Sequence, residues 1–201
     1  MPLETGFAEA EQAIRNAVIV PVIRTSTTEE ALAVAGWALG QGLPALELTA
    51  TIPGWLDALR TLAGSAVVGV GTLRTAEDAR AACDAGARFL VSPVPAPEVA
   101  RVAAERGVLM VGGGFTPAEL LAAADGGIAK LFPAHAVGPR YLRSVLAVAP
   151  GARVVPTGGI ALADVPAWLE AGAYAVGIGS ELAPGPESAE RLAALRGAVT
   201  A

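Results

Sequence analysis

Lys130 is the only lysine among fourteen basic residues, the other thirteen being arginine, and it sits in the apolar run Ile128-Ala129-Lys130-Leu131-Phe132-Pro133. If that run is a buried strand, the amine loses much of its hydration and its pKa is lowered. A neutral amine attacks ketones, so Lys130 is a candidate Schiff-base nucleophile. The competing reading is a strand-end lysine whose stem packs on apolar neighbours while its head reaches solvent. Glu47, inside Leu46-Glu47-Leu48, is a second ionisable group in an apolar stretch. A buried carboxylate is costly unless it is paired or functional. A structural Glu47–Lys130 ion pair would satisfy it, and the same two groups lining one site are the minimum for imine chemistry with proton transfer.

Two glycine-rich turns come late in the chain, Pro156-Thr157-Gly158-Gly159-Ile160 and Gly177-Ile178-Gly179-Ser180. Glycine lets backbone N–H groups approach phosphate oxygens, and a short helix after Ser180 would add its dipole. Each turn alone could equally serve tight chain reversal; the pair together points to a phosphate site. Metal chemistry is constrained by inventory: His135 is the only histidine and Cys83 the only thiol. A metal site would have to lean on carboxylates, and Glu29, Glu30, Asp57, Glu77, Asp78 and Glu98 fall in helix-like stretches where a solvated face is the default. We expect no metal and no cofactor.

These side chains need a scaffold, and the rest of the chain reads as one. Eight short apolar runs, Val18 to Ile23, Ala45 to Thr49, Val67 to Gly71, Phe89 to Ser92, Val108 to Val111, Ile128 to Phe132, Val154 to Thr157 and Ala173 to Ile178, are each followed by a helix-like stretch. They do not alternate, as strands buried on both faces should not. Thr27-Thr28-Glu29-Glu30 and Thr116-Pro117-Ala118-Glu119 are helix starts. Gly42, Gly86, Gly107, Gly126 and Gly172 stand at helix exits, where a left-handed residue is wanted. The segments Asp84 to Ser92 and Glu170 to Ile178 repeat one helix-to-strand joint. The reading is an α/β protein: a (β/α)₈ TIM barrel, one domain over residues 1–201, with residues 1–17 as an extra helix closing the bottom and Glu187 to Val199 as the eighth helix. In such a barrel chemistry gathers at the carboxyl ends of the strands, which selects Arg24, Glu47, Thr49, Thr51, Thr72, Ser92-Pro93, Gly112 to Gly114, Lys130, Phe132, Thr157 to Gly159 and Gly179-Ser180.

Composition excludes other classes. Net charge is −5 with scattered arginines, so nucleic acid is not an expected partner. No apolar run approaches the roughly 20 residues of a membrane span. The start Met1-Pro2-Leu3-Glu4 lacks a basic leader and the single cysteine makes no internal disulfide, so the expected compartment is the cytoplasm.

From about residue 18 to 183 the chain resembles the 2-keto-3-deoxy-6-phosphogluconate (KDPG) aldolases and their phosphogalactonate-cleaving relatives. The likeness runs through Val20-Pro21-Val22-Ile23-Arg24, Leu46-Glu47-Leu48-Thr49, Gly69-Val70-Gly71-Thr72, Val91-Ser92-Pro93, Lys130-Leu131-Phe132-Pro133, Val137-Gly138-Pro139, Pro156-Thr157-Gly158-Gly159 and Gly177-Ile178-Gly179-Ser180. The resemblance implies a class I aldolase of the Entner–Doudoroff type on a (β/α)₈ barrel, acting on a phosphorylated 2-keto acid. It implies an imine on Lys130, proton transfer by Glu47, and release of pyruvate and D-glyceraldehyde 3-phosphate. It assigns Arg24 and Thr72 to the substrate carboxylate, Phe132 and Pro93 to the pocket wall, Thr157 to substrate hydroxyls, and Gly158, Gly159, Gly179 and Ser180 to the phosphate. It also implies a homotrimer. The chain departs from the pattern at Thr51, where some members carry arginine, at His135, where many carry glutamate, and at Gly112-Gly113, where many carry proline-glycine. His135 is read either as an aid to proton transfer or as a satisfied loop histidine. Alternatives to the lyase are a sugar-phosphate isomerase or synthase using Glu47 as base without an imine, and a binding-only barrel.

Overall fold

A computed structural model describes residues 2–200, with side chains for residues 6–195. The chain opens with α1 (Pro2–Ala17), then alternates: β1 (Ile19–Ile23), α2 (Thr28–Gly40), β2 (Ala45–Thr49), α3 (Trp55–Leu62), β3 (Val67–Gly71), α4 (Ala76–Asp84), β4 (Phe89–Val91) and α5 (Pro97–Arg106). It continues with β5 (Leu109–Gly114), α6 (Pro117–Asp125), β6 (Ile128–Leu131), α7 (Pro139–Val148), β7 (Val154–Pro156), α8 (Val165–Glu170), β8 (Val176–Ile178) and α9 (Pro186–Thr200). All strand pairings are parallel, in the order β7-β6-β5-β4-β3-β2-β1-β8. The two outer strands meet at one bridge, Thr157 opposite Gly177, and at a hydrogen bond from Tyr174 N–H to Val154 O of 2.8 Å. The sheet is thus a nearly closed (β/α)₈ barrel.

The strands read as expected because both of their faces are covered. Leu46, Leu48, Val70, Leu90, Leu131 and Val154 pack outward on helices, while Val20, Phe89, Val91, Val111 and Val155 face the barrel interior with Ala10 and Ile14 of α1. α1 therefore closes the amino-terminal end of the barrel, pinned at its rim by ion pairs of Glu11 with Arg153 and Glu9 with Arg88. Close packing dictates several small residues. A Cβ at Gly69 would lie 2.2 Å from the Phe89 ring.

Helix entry follows the caps in the sequence. Thr27 accepts from Glu30 N–H, and Thr116 and Glu119 form a reciprocal capping box. Gly42, Gly86, Gly107 and Gly172 take positive φ after their helices. Gly126 does not: its φ is −92°. The following Gly127 makes the tight contact instead, since a Cβ there would meet Met110 O at 2.3 Å. Two strand limits and one expected helix differ most from the sequence reading. β5 runs on through Gly112 to Gly114, because those residues pair with Ala129, Lys130 and Leu131 of β6. β8 begins only at Val176, because residues 171–175 form the turn that carries the Tyr174 bond to β7. No helix follows Ser180 directly: residues 180–181 form a turn in which Leu182 N–H donates to Gly179 O at 2.9 Å, and α9 starts at Pro186. The helix-dipole contribution expected there is withdrawn.

Candidate active site

Lys130 occupies the third position of β6 and Glu47 the third position of β2, and both point into the barrel near its carboxyl-terminal mouth. Each is 4 % exposed. Lys130 Nζ donates to Glu47 Oε1 at 3.2 Å and Oε2 at 3.1 Å, so the amine faces both carboxylate oxygens. This is a fully enclosed ion pair rather than a strand-end lysine reaching solvent. Neighbouring backbone makes room for it. A Cβ at Gly71 would stand 1.8 Å from Glu47 Oε1, so only glycine leaves the carboxylate its place.

The pair lies in a cavity of about 590 Å³ at the carboxyl ends of the strands. Arg24, Thr72, Pro93, Phe132, Thr157, Gly158, Gly159, Gly179 and Ser180 line the same cavity, whereas Thr49, Thr51, Ser92 and Gly112 to Gly114, also selected at strand ends, do not. The Phe132 ring centroid is 6.0 Å from Lys130 Nζ, and the ring rests on Gly158, where a Cβ would approach it to 2.9 Å. Pro93 is set by its neighbour Ser92, which is wholly buried, donates to Val94 O at 2.6 Å and accepts from Gly113 N–H at 3.3 Å. Gly113 is required by that turn: a Cβ would meet the Pro93 carbonyl carbon at 2.3 Å. The departure at Gly112-Gly113 thus lies in strand packing behind the pocket wall.

Arg24 follows β1 and is turned toward the second and third strands. Its Nη1 donates to Thr51 Oγ1 at 2.8 Å and its Nη2 to Thr72 Oγ1 at 2.9 Å, and Thr51 Oγ1 lies 3.0 Å from Oγ1 of the buried Thr49. Two of five guanidinium N–H groups are used, leaving three for a ligand. Thr72 holds φ = +63°, a strained conformation for a β-branched residue that costs about 1–3 kcal/mol and marks a position fixed by its surroundings. In the sequence Thr51 registered as a strand-end residue and as the place where arginine is lacking. Its hydroxyl instead orients the arginine that is present, a contact between strand ends that no local pattern encodes. Thr25 and residues 181–184 also line the cavity without any sequence signal.

The opposite side of the mouth is formed by the turns after β7 and β8. Thr157 is buried beside the pair, and its side chain packs on Gly177, where a Cβ would lie 2.3 Å from Oγ1. His135 does not line the cavity; its Nδ1 is 3.2 Å from Gly158 O. Among the described residues no three His, Cys, Asp or Glu side chains are grouped as metal ligands, and no helix is long and apolar enough to cross a membrane.

A parallel barrel with a buried lysine–carboxylate pair at its mouth, an arginine on one side and glycine turns on the other, is the layout of a carbon–carbon lyase of the aldolase class. A family model described as KDPG and KHG aldolase matches residues 10–193, and the chain belongs to that family. It is 30 % identical over 182 residues to the 2-dehydro-3-deoxy-6-phosphogalactonate aldolase of Escherichia coli K12, covering 87 % of this chain and 89 % of the relative. It is 32 % identical over 173 residues to the 2-dehydro-3-deoxy-phosphogluconate aldolase of Pseudomonas aeruginosa, covering 83 % and 79 %. Among solved structures, the KDPG aldolase of Legionella pneumophila, with pyruvate captured at low pH as a covalent carbinolamine intermediate, superposes with a TM-score of 0.80 at 27 % identity, covering 94 % of this chain and 97 % of that one.

Proposed function

We propose that this aldolase cleaves 2-keto-3-deoxy-6-phosphogluconate reversibly to pyruvate and D-glyceraldehyde 3-phosphate through an imine on Lys130. The observation that carries the reading is the buried pair, with Nζ 3.1 and 3.2 Å from the Glu47 oxygens. Glu47 takes the ammonium proton, freeing the lone pair to add to the C2 carbonyl. Glu47 then returns that proton to the leaving hydroxyl, so the carbinolamine loses water to give a protonated imine and Glu47 is a carboxylate again. As the C4 hydroxyl gives up its proton toward Glu47, directly or through a water, the C3–C4 electrons flow into the imine, the aldehyde departs and an enamine remains. The enamine takes a proton at C3, and water releases pyruvate. The carbinolamine captured in the Legionella relative is the intermediate this sequence requires.

Arg24 and Thr72 hold the carboxylate, a task suited to the three spare guanidinium N–H groups. Phe132 and Pro93 wall the imine, Thr157 meets the substrate hydroxyls, and Gly158, Gly159, Gly179 and Ser180 take the phosphate. No metal or cofactor enters the scheme. The E. coli relative favours a second reading, the galactonate-derived epimer at C4; 4-hydroxy-2-oxoglutarate is the unphosphorylated alternative. The same proposal has the whole chain act as one catalytic domain, in the cytoplasm, as a homotrimer.

The test is incubation with pyruvate and borohydride followed by peptide mass mapping. The expected result is one reduced adduct on Lys130, absent in Lys130→Arg, which keeps a cation against Glu47 but has no nucleophilic amine. A wild type without adduct, or an undiminished adduct in the variant, removes the imine. Retro-aldol assays on both C4 epimers, coupled to pyruvate detection, then rank the substrates, with the gluconate derivative expected to turn over faster.

A further inference from the structure

The imidazole of His135 abuts the phosphate turn from outside the cavity. His135 belongs to the 3-10 turn Ala134–Ala136 that follows β6. Its Nδ1 lies 3.2 Å from Gly158 O, and the same carbonyl accepts the His135 backbone N–H at 3.1 Å. A carbonyl oxygen can only accept, so Nδ1 carries the proton in this contact. The neighbouring Ala134 N–H donates to Thr157 O at 2.8 Å, and a Cβ on Gly159 would stand 2.6 Å from Nδ1. The ring is therefore packed against Gly158 and Gly159, and the backbone of its own 3-10 turn holds Thr157.

The Gly158–Gly159 peptide is trans, so its C=O and N–H point in opposite directions. With the carbonyl held toward His135, the Gly159 N–H is aimed the other way. Gly158 and Gly159 line the cavity and His135 does not, so the other way is toward the ligand space. Among the described residues the Gly159 N–H donates to no protein group. A peptide unit flanked by two glycines can rotate at little steric cost, which would turn the carbonyl oxygen toward an incoming anion.

We propose that His135 is a positioning residue: its Nδ1–H fixes the Gly158–Gly159 peptide so that an N–H rather than a carbonyl faces the substrate phosphate. The inference rests on the phosphate reading of this turn and gives His135 a role apart from both proton transfer and simple loop packing.

The experiment measures condensation of pyruvate with D-glyceraldehyde 3-phosphate and with D-glyceraldehyde, in wild type, His135→Ala, His135→Asp and His135→Asn. Loss of one hydrogen bond should raise KM for the phosphorylated aldehyde about five-fold in the alanine variant. The aspartate variant should rise further, because it sets a second acceptor against the carbonyl. The asparagine amide replaces the Nδ1 donor and should restore KM to within about two-fold of wild type. Kcat and the KM for unphosphorylated glyceraldehyde should stay level throughout. Unchanged KM in His135→Ala, an equal rise for both aldehydes, or no rescue by asparagine overturns the role of His135. A wild type that does not distinguish the two aldehydes overturns the phosphate reading itself, and the brace with it.

Discussion

Gly71 owes its identity to Glu47. With a Cβ at 1.8 Å from Oε1, Gly71→Ala must displace the carboxylate. A shift of that size at a proton-transfer group is expected to cut turnover by about 100-fold. Glu47→Gln keeps the shape and removes the base; it should lower kcat by about 100- to 10,000-fold while pyruvate remains trappable on Lys130. Steady-state retro-aldol kinetics beside borohydride trapping checks both, and wild-type turnover in Glu47→Gln takes Glu47 out of the mechanism. At this scale the sequence exposed the acid and the amine because each breaks an apolar run. It did not expose Thr51 and Thr49 as supports of Arg24, since that contact depends on the angle of one long side chain across neighbouring strand ends.

The elements were legible where periodicity and caps coincide. Eight buried strands follow eight short apolar runs, and α6 begins at the Thr116 box that the sequence marks. They were illegible where backbone pairing overrides composition, as in the glycine end of β5, or where a turn replaces an anticipated helix, as after Ser180. The α6 cap bears directly on the site, because α6 delivers the chain into β6 and Lys130. Thr116→Ala should cost about 1 kcal/mol in urea unfolding. The Glu119 carboxyl sits below its ordinary pKa because the backbone N–H groups of Thr116 and Phe115 and the Thr116 hydroxyl hydrogen-bond to it. A folded-state pKa lowered in this way contributes stability above the unfolded carboxylate range, lost as pH falls through the folded value. The urea midpoint gap between wild type and Glu119→Gln should therefore narrow on acidification; a gap independent of pH would separate the cap from this titration.

At the scale of the molecule, an apolar groove of about 750 Å³ between α5 and α6 lies away from the active site. Ala100, Ala103 and Ala104 form one wall and Ala118, Ala122 and Ala123 the other, and the partly exposed Val94 and Phe115 are among the few large apolar side chains that reach solvent. Under the homotrimer proposal this face is the natural place for subunit contact. Light scattering on the purified chain is expected to give three times the 20.0 kDa chain mass, and Ala122→Glu, which places a charge in the groove, to shift it toward one. A monomeric wild type would remove the trimer, and a trimeric Ala122→Glu would move the contact elsewhere.

The seam between β7 and β8 has a further consequence. Every other neighbouring pair is joined by a ladder, whereas these two strands share one bridge and one added hydrogen bond, and each leads into a glycine turn of the proposed phosphate site. A phosphate group gripped by both turns would act as a clasp across the weakest line of the cylinder. Ligand binding and closure of the sheet then become one equilibrium, and the part of the substrate remote from the breaking carbon bond would be what draws the barrel shut.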